Sequence, residues 1–83
     1  MIPRIKTIEP QDGFKLLVVF DDGKGVIYDV QDDIENLPDF EALKTEIGLF
    51  KSFQIDESRT CVSWNDRIDL PSDILLEYGT PIN

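Results

Sequence analysis

Carboxylates are the side chains of this sequence with the clearest capacity for chemistry. The 83 residues include 17 acidic and 8 basic side chains and no histidine, so the commonest general base and metal ligand is missing. Paired carboxylates catalyse acid–base steps when apolar surroundings raise the pKa of one of them. Here they fall in predicted polar turns and helix starts, so we predict no catalytic residues. The acidic clusters are Asp21/Asp22, then Asp29, Asp32, Asp33 and Glu35, and lastly Asp66, Asp69 and Asp73.

Cofactor, metal and thiol chemistry find little support. "DDGKG" lacks the spacing and the Ser or Thr of a phosphate-binding loop, and "DVQDDIE" lacks the order of a calcium loop. We therefore expect no cofactor and no metal, and a solvated acidic loop at 29–35. Cys61 stands alone in the apolar run "TCVSW", where a free thiol usually packs as a small core hydrophobe.

Net charge bounds the class of partner. A charge of −9 disfavours nucleic acids and anionic membranes. A basic protein partner is compatible with it, although many acidic proteins carry such charge for solubility alone. A third hypothesis is an acidic protein that mimics nucleic acid, which needs carboxylates arranged in a row along one face. The acidic clusters of this sequence are scattered, which argues against it. Without an apolar leader or a membrane-spanning run, a cytoplasmic location is the expectation.

The secondary-structure pattern predicts an α+β fold within a single domain, 1–83. "RIKTIEP" suits an edge strand, and "FKLLVVFD" a central one. In the latter, Phe14, Leu16, Val18 and Phe20 share one face, while Leu17 and Val19 occupy the other. "DDGK", with Gly23 at positive φ, turns the chain into "GVIYDV", which completes an antiparallel meander of about three strands.

Two short helices and a second hairpin complete the predicted fold. "PDFEALKTEIG" predicts a helix with Phe40, Leu43 and Ile47 on its buried stripe, ending at Gly48. "FKSFQID" and "TCVSWN" predict a hairpin, and "NDR" a turn. A last helix follows Pro71, with Ile74, Leu75 and Tyr78 inward. Trp64 is predicted to anchor the core, its indole N–H bound to a carbonyl.

The order of these motifs resembles a small bacterial family, domain of unknown function 2442. The residues that carry the resemblance lie in "FDDGKGVIYDV", "FEALK", "FKSFQID", "SWNDRIDL" and "SDILLEYG". The chain departs from the family pattern at Asn65, at Ser72 after Pro71, at Leu75-Leu76, and at Gly25-Val26 where a basic residue is common. The resemblance implies a compact α+β domain with no established catalytic residues. It also implies, by analogy, an interaction with a small toxin-like protein encoded nearby.

The apolar side chains on both sides of the second strand suggest where a partner would bind. Two short helices scarcely cover both faces of such a sheet, so one face is a candidate interface. We predict a non-catalytic interaction module that binds a small basic protein, or itself, with no small-molecule ligand. The predicted partner-binding residues are Leu17, Val19 and Tyr28, with Val26 and Val30 joining them if the register allows. In the competing arrangement the second hairpin folds over that face.

A second hypothesis is a small ligand-binding protein or carboxylate-dependent enzyme near the last helix. It would use Asp69, Asp73 or Tyr78. Such a site needs a concave pocket that holds a carboxylate of raised pKa.

Overall fold

Two antiparallel sheets of unequal size carry the strands of the protein. The computed structural model describes residues 2–82. The larger sheet has the order β1-β2-β3-β7 and the smaller one β4-β5-β6. The predicted α+β class, meander and second hairpin are confirmed, with β1 at an edge as expected; β6 and β7 are additional. The strands are β1 (Ile5–Gln11), β2 (Lys15–Phe20), β3 (Gly25–Asp29), β4 (Gln54–Ile55), β5 (Cys61–Asn65), β6 (Ile68–Pro71) and β7 (Thr80–Pro81).

Short turns set the pairing of the meander. At the β2–β3 turn the N–H of Phe20 donates to the carbonyl of Lys24 at 2.8 Å, and Gly23 has φ of 90°, which confirms the positive φ predicted there. At the β1–β2 turn Phe14 itself has φ of 60°, so this residue precedes the strand in which it was predicted. Its ring packs edge-on against Phe50, with centroids 5.3 Å apart.

The helical segments number more than the two predicted. They are α1 (Gln31–Asn36), a 3-10 helix (Pro38–Glu41), α2 (Ala42–Thr45) and α3 (Ser72–Tyr78). The helix α1 forms where an acidic loop was expected, because Ile34 is buried in the core and Asp32 and Asp33 favour the positive end of a helix. Within residues 2–82, no helix has the length and apolar character needed to cross a membrane.

The helical segment after Pro38 ends earlier than predicted. Phe40 and Leu43 are buried as expected, but the side chain of Ile47 is 104% exposed, so its place on the buried stripe is wrong. Gly48, at φ of 83°, turns the chain so that Phe50 is buried beside Trp64. The indole N–H of Trp64 donates to the carbonyl of Phe50 at 2.9 Å, which confirms the predicted core anchor.

The last helix also buries a different set of side chains from the predicted one. Leu75 is fully buried, but Tyr78 is 68% exposed. Ser72 is buried in its place: its hydroxyl donates to the carbonyl of Pro3 at 2.6 Å, and its N–H to the carbonyl of Thr60 at 2.8 Å. These two bonds hold the start of the seven-residue helix α3. Its other end lies at the surface.

One hydrophobic core joins the two sheets. Its members include Leu16, Val18 and Phe20 of the larger sheet and Val62, Trp64 and Ile68 of the smaller one. Arg59 adds a polar link between the sheets. Its guanidinium binds both carboxylate oxygens of Asp21, at 2.7 and 2.8 Å, and its carbonyl accepts the N–H of Ile5 at 2.7 Å. The core therefore lies on the inner face of β2 and leaves the other face outward.

Candidate docking surface

The strand β2 presents apolar side chains to both of its faces. Leu16, Val18 and Phe20 point inward and are buried, whereas Leu17 and Val19 point outward and are half-buried. This alternation confirms the predicted division of the strand. The larger sheet therefore has a second apolar surface that lies outside the core.

The strand register defines which residues share that surface, since directly opposed residues of antiparallel strands lie on one face. Leu17 is opposite Glu9 and Ile27, and Ile27 is opposite Thr80. In the next row Val19 is opposite Thr7 and Gly25. We name this surface the outer face; its residues are Thr7, Glu9, Gln11, Lys15, Leu17, Val19, Gly25, Ile27, Asp29, Thr80 and Ile82.

Ile82 extends the outer face beyond the end of β7. Its N–H donates to the carbonyl of Gly25 at 3.0 Å, and the alternation along β7 puts it on the side of Thr80. The side chain is 50% exposed. Gly25 lies between Val19 and Ile82 in this row and is itself buried.

Tyr28 does not lie on this face, contrary to the prediction. It pairs with Leu16, and Val26 pairs with Val18, so both point into the core; Tyr28 is only 6% exposed, and Val30 is buried too. The expectation that Val26, Tyr28 and Val30 would join Leu17 and Val19 is therefore wrong. Ile27 takes that place, because the turn at 21–23 sets Val26 opposite Val18. The two-residue alternation of side chains along "GVIYD" is the sequence signal that places Ile27 on the opposite face from Val26 and Tyr28.

The phenol of Tyr28 is held in the core by a helix. Its hydroxyl donates to a carboxylate oxygen of Asp33 at 2.6 Å. Burial raises the pKa of Tyr28 well above its usual value, and the bond to Asp33 raises it further. Tyr28 consequently keeps its proton at neutral pH and ties α1 to β3.

No described helix or hairpin packs over the outer face. The buried side chains of the helices, such as Ile34, Leu43 and Leu75, belong to the core with Leu16. The second hairpin also covers the inner face, through Val62 and others. Leu17, Val19 and Ile27 belong neither to the core nor to the half-buried residues packed against it. Within residues 2–82 the outer face is thus an open, partly apolar sheet surface.

The residues of the second hypothesis are not gathered into one pocket. Asp69 lies on the side of β6 that faces away from the core, opposite Ser63, and Asp73 is exposed on α3. Tyr78 lines a cleft of about 320 Å³ with Tyr28, Ile74 and three aspartates, but that cleft includes neither Asp69 nor Asp73. Of the three alternative site residues, the structure therefore places only Tyr78 in this cleft.

Another cleft, of about 600 Å³, lies beside the β2–β3 turn. It is lined by Ile2, Pro3, Arg4, Phe20, Asp21, Asp22, Ser58 and Thr60. Asp21 is already bound there by Arg59. Within residues 2–82, no group of three His, Cys, Asp or Glu side chains is placed to hold a metal ion.

Cys61 is half-buried on β5 rather than in the core. It lies opposite Pro71, on the side of the smaller sheet that also carries Asp69. Burial raises the pKa of its thiol, and the negative charges of Asp69 and Asp56 raise it further. Because the thiolate is the nucleophilic form, these surroundings disfavour nucleophilic chemistry.

The comparison with protein families agrees with the resemblance in the motifs. The family described as "Protein of unknown function (DUF2442)" matches residues 5–81 of the chain. The chain belongs to this family. No curated protein and no solved structure gives a significant match. The match to DUF2442 spans β1 to β7, so every residue of the outer face except Ile82 falls inside it.

Proposed function

We propose that this DUF2442 protein is a non-catalytic interaction module that binds another polypeptide through its outer face. The observation that carries the proposal is the uncovered group of Leu17, Val19 and Ile27 in the middle of a paired sheet. Apolar side chains at the centre and polar ones at the rim are the usual anatomy of a protein interface. A contiguous apolar patch on a small protein commonly marks an interaction site.

The shape of the surface favours a polypeptide over a small molecule. Small ligands bind in concave pockets that bury most of their surface, whereas the outer face is one side of a sheet. The net charge of −9 supports a small basic partner, in line with the family analogy. Self-association is the other occupant compatible with the surface.

Photo-crosslinking from the outer face tests the proposal. A benzophenone amino acid in place of Leu17 is expected to crosslink to one polypeptide in native cells, which mass spectrometry identifies as a second copy or another protein. Adding Val19→Lys should lower the yield at least about tenfold, because a charge then has to be desolvated in the interface.

Matched controls use two exposed apolar residues elsewhere on the surface. Leu37 and Ile47 are both exposed, so a benzophenone at 37 tests site specificity and Ile47→Lys tests the effect of an added charge. Equal crosslinking from positions 17 and 37, or a yield unaffected by Val19→Lys in a folded protein, would overturn the proposal.

A further inference from the structure

We infer that the polypeptide on the outer face is a second copy of this chain, stacked face to face about a two-fold axis. The axis runs parallel to the strands and passes between β2 and β3. The inference rests on the proposed function of the outer face and names its occupant. It follows from the order of side chains in three successive rows of the sheet.

A two-fold axis in this position places β2 of one copy over β3 of the other at the same height. In the first row, Lys15 then faces Asp29 of the second copy, because the two are opposite each other within one chain. In the second row, Leu17 faces Ile27 of the second copy. In the third, Val19 faces Gly25 of the second copy. Each contact occurs twice, as the symmetry of an isologous dimer requires.

The rows are complementary in charge as well as in order. Lys15 is positively charged and Asp29 is negatively charged. The two-fold axis places Lys15 of each copy over Asp29 of the other. Within residues 2–82 the ion pairs are Lys24–Asp22 and Arg59–Asp21, so neither Lys15 nor Asp29 is engaged in one. Asp29 accepts the backbone N–H of Gln31, but no cation neutralises it within these residues, so its charge can pair with Lys15 of a second copy.

The apolar side chains of the outer face also meet one another across this axis. Leu17 of each copy faces Ile27 of the other, so the middle row is apolar on both sides. In the third row Val19 of each copy lies over Gly25 of the other, a position that carries no side chain. Stacked sheets pack in this way, about 10 Å apart, with the side chains of the two faces interdigitated.

The charge of the outer face itself favours a second copy over a strongly basic partner. Lys15 stands among its rim residues with Glu9 and Asp29, so both signs are present on the surface. The acidic clusters at Asp21/Asp22 and at Asp32/Asp33 lie outside it. A strongly basic partner would meet Lys15 at the rim, whereas a second copy offers that lysine an aspartate.

The size of the face predicts a weak dimer. Strands about 4.8 Å apart and same-face residues about 6.8 Å apart give the eleven positions of the outer face, four in each of two rows and three in the row of Lys15, a flat area of roughly 360 Å² per copy. Stable interfaces bury about 800 Å² of accessible surface per partner. We therefore expect a dissociation constant between about 1 μM and 1 mM.

Charge exchange at the first row tests this arrangement by sedimentation of the purified protein at concentrations up to about 1 mM. Lys15→Asp and Asp29→Lys are each expected to dimerise at least about tenfold more weakly than the native chain, since each sets like charges against each other. An equimolar mixture should regain the dimer, because the carboxylate introduced at position 15 of one chain then faces the ammonium group introduced at position 29 of the other, and the remaining Lys15 faces the remaining Asp29.

Two features of this design separate specific from general effects. Asp29→Lys brings the net charge closer to zero, so a dimer limited only by overall repulsion would become tighter in this variant. Asp29 also accepts the N–H of Gln31 at 2.9 Å, so Asp29→Lys could fail to fold because it removes this acceptor. In that case Asp29→Asn, which keeps an acceptor but removes the charge, replaces it. Asp29→Asn should also weaken the dimer.

The outcomes distinguish this inference from the proposed function. The inference that a second copy binds here is overturned if the native chain stays monomeric at about 1 mM. It is also overturned if the mixture has a mean mass no higher than that of either variant alone. If crosslinking from position 17 then identifies a different protein, the outer face keeps its proposed function and only the occupant is wrong. A tighter dimer of Asp29→Lys likewise contradicts the two-fold arrangement.

Discussion

At the scale of single residues, the side of the strand decides what a side chain does. Ile27 and Tyr28 are neighbours in the sequence, yet Ile27 lies on the outer face and Tyr28 in the core. The phenol therefore acts as a buried donor to Asp33, although its residue type suits an interface. A tyrosine placed in this way contributes to the stability of the fold.

The raised pKa of Tyr28 predicts how stability changes at alkaline pH. The protonated phenol is favoured in the folded state, so its contribution is fully present below the ordinary pKa of 10.0 and is lost as the pH rises above it. Tyr28→Phe lacks this titration. We expect the variant to be less stable at pH 7, and the difference from the native chain to shrink above pH 10.

Urea unfolding across this pH range measures the effect. The control is Tyr78→Phe, which changes the exposed tyrosine and should alter the free energy of unfolding at pH 7 by less than about 0.5 kcal/mol. Parallel pH profiles for Tyr28→Phe and the native chain would contradict the role assigned to this phenol.

At the scale of elements, α3 owes its position to a glycine. Gly79 follows the helix, and its N–H donates to the carbonyl of Leu75 at 3.0 Å. A Cβ on Gly79 would lie 2.5 Å from that carbonyl oxygen and 2.8 Å from the side chain of Val26. Since φ of Gly79 is −74°, the need for glycine comes from close packing on β3 and not from backbone strain.

Gly79→Ala is therefore expected to destabilise the protein. The added methyl group has to push the end of α3 away from β3, at a cost of about 1–3 kcal/mol. Chemical denaturation followed by circular dichroism measures the change. Glu77→Ala, an exposed substitution in the same helix, should stay within about 0.5 kcal/mol of the native chain; a similarly small effect of Gly79→Ala would show that α3 is not packed as closely as described.

At the scale of the whole molecule, the two sheets share one core. The smaller sheet supplies Val62, Trp64 and Ile68 to a cluster that also contains Leu16 and Val18. Arg59 and Asp21 join the sheets at the surface, each with a side chain that is 42% exposed. Neither sheet can bury its inner face without the other, so the two should unfold together.

Cooperative unfolding is tested with probes in both sheets. Fluorescence of Trp64, the only tryptophan, reports on the smaller sheet, and amide exchange of β2 reports on the larger one. The same free energy of unfolding is expected from both. Arg59→Ala should lower both values equally, by about 1 kcal/mol or less, because the ion pair is partly exposed. Separate transitions would contradict the shared core.

The sequence by itself determined the features that depend on neighbours along the chain. The alternation of β2, the positive φ of Gly23 and the α+β class were all predictable, because strand periodicity and turn chemistry are local. The turn after Trp64 belongs with them: the side-chain oxygen of Asn65 accepts the N–H groups of Arg67 and Ile68 at 2.8 and 3.0 Å.

Only the tertiary structure decided which apolar side chains are covered. Ile47 and Tyr78 follow the periodicity of buried residues but are exposed, whereas Ser72 is polar and buried. The outer face was predictable in Leu17 and Val19 but not in Ile82, whose place depends on β7 pairing with β3. Burial is set by how layers stack and how distant strands pair, and these contacts join residues far apart in the chain.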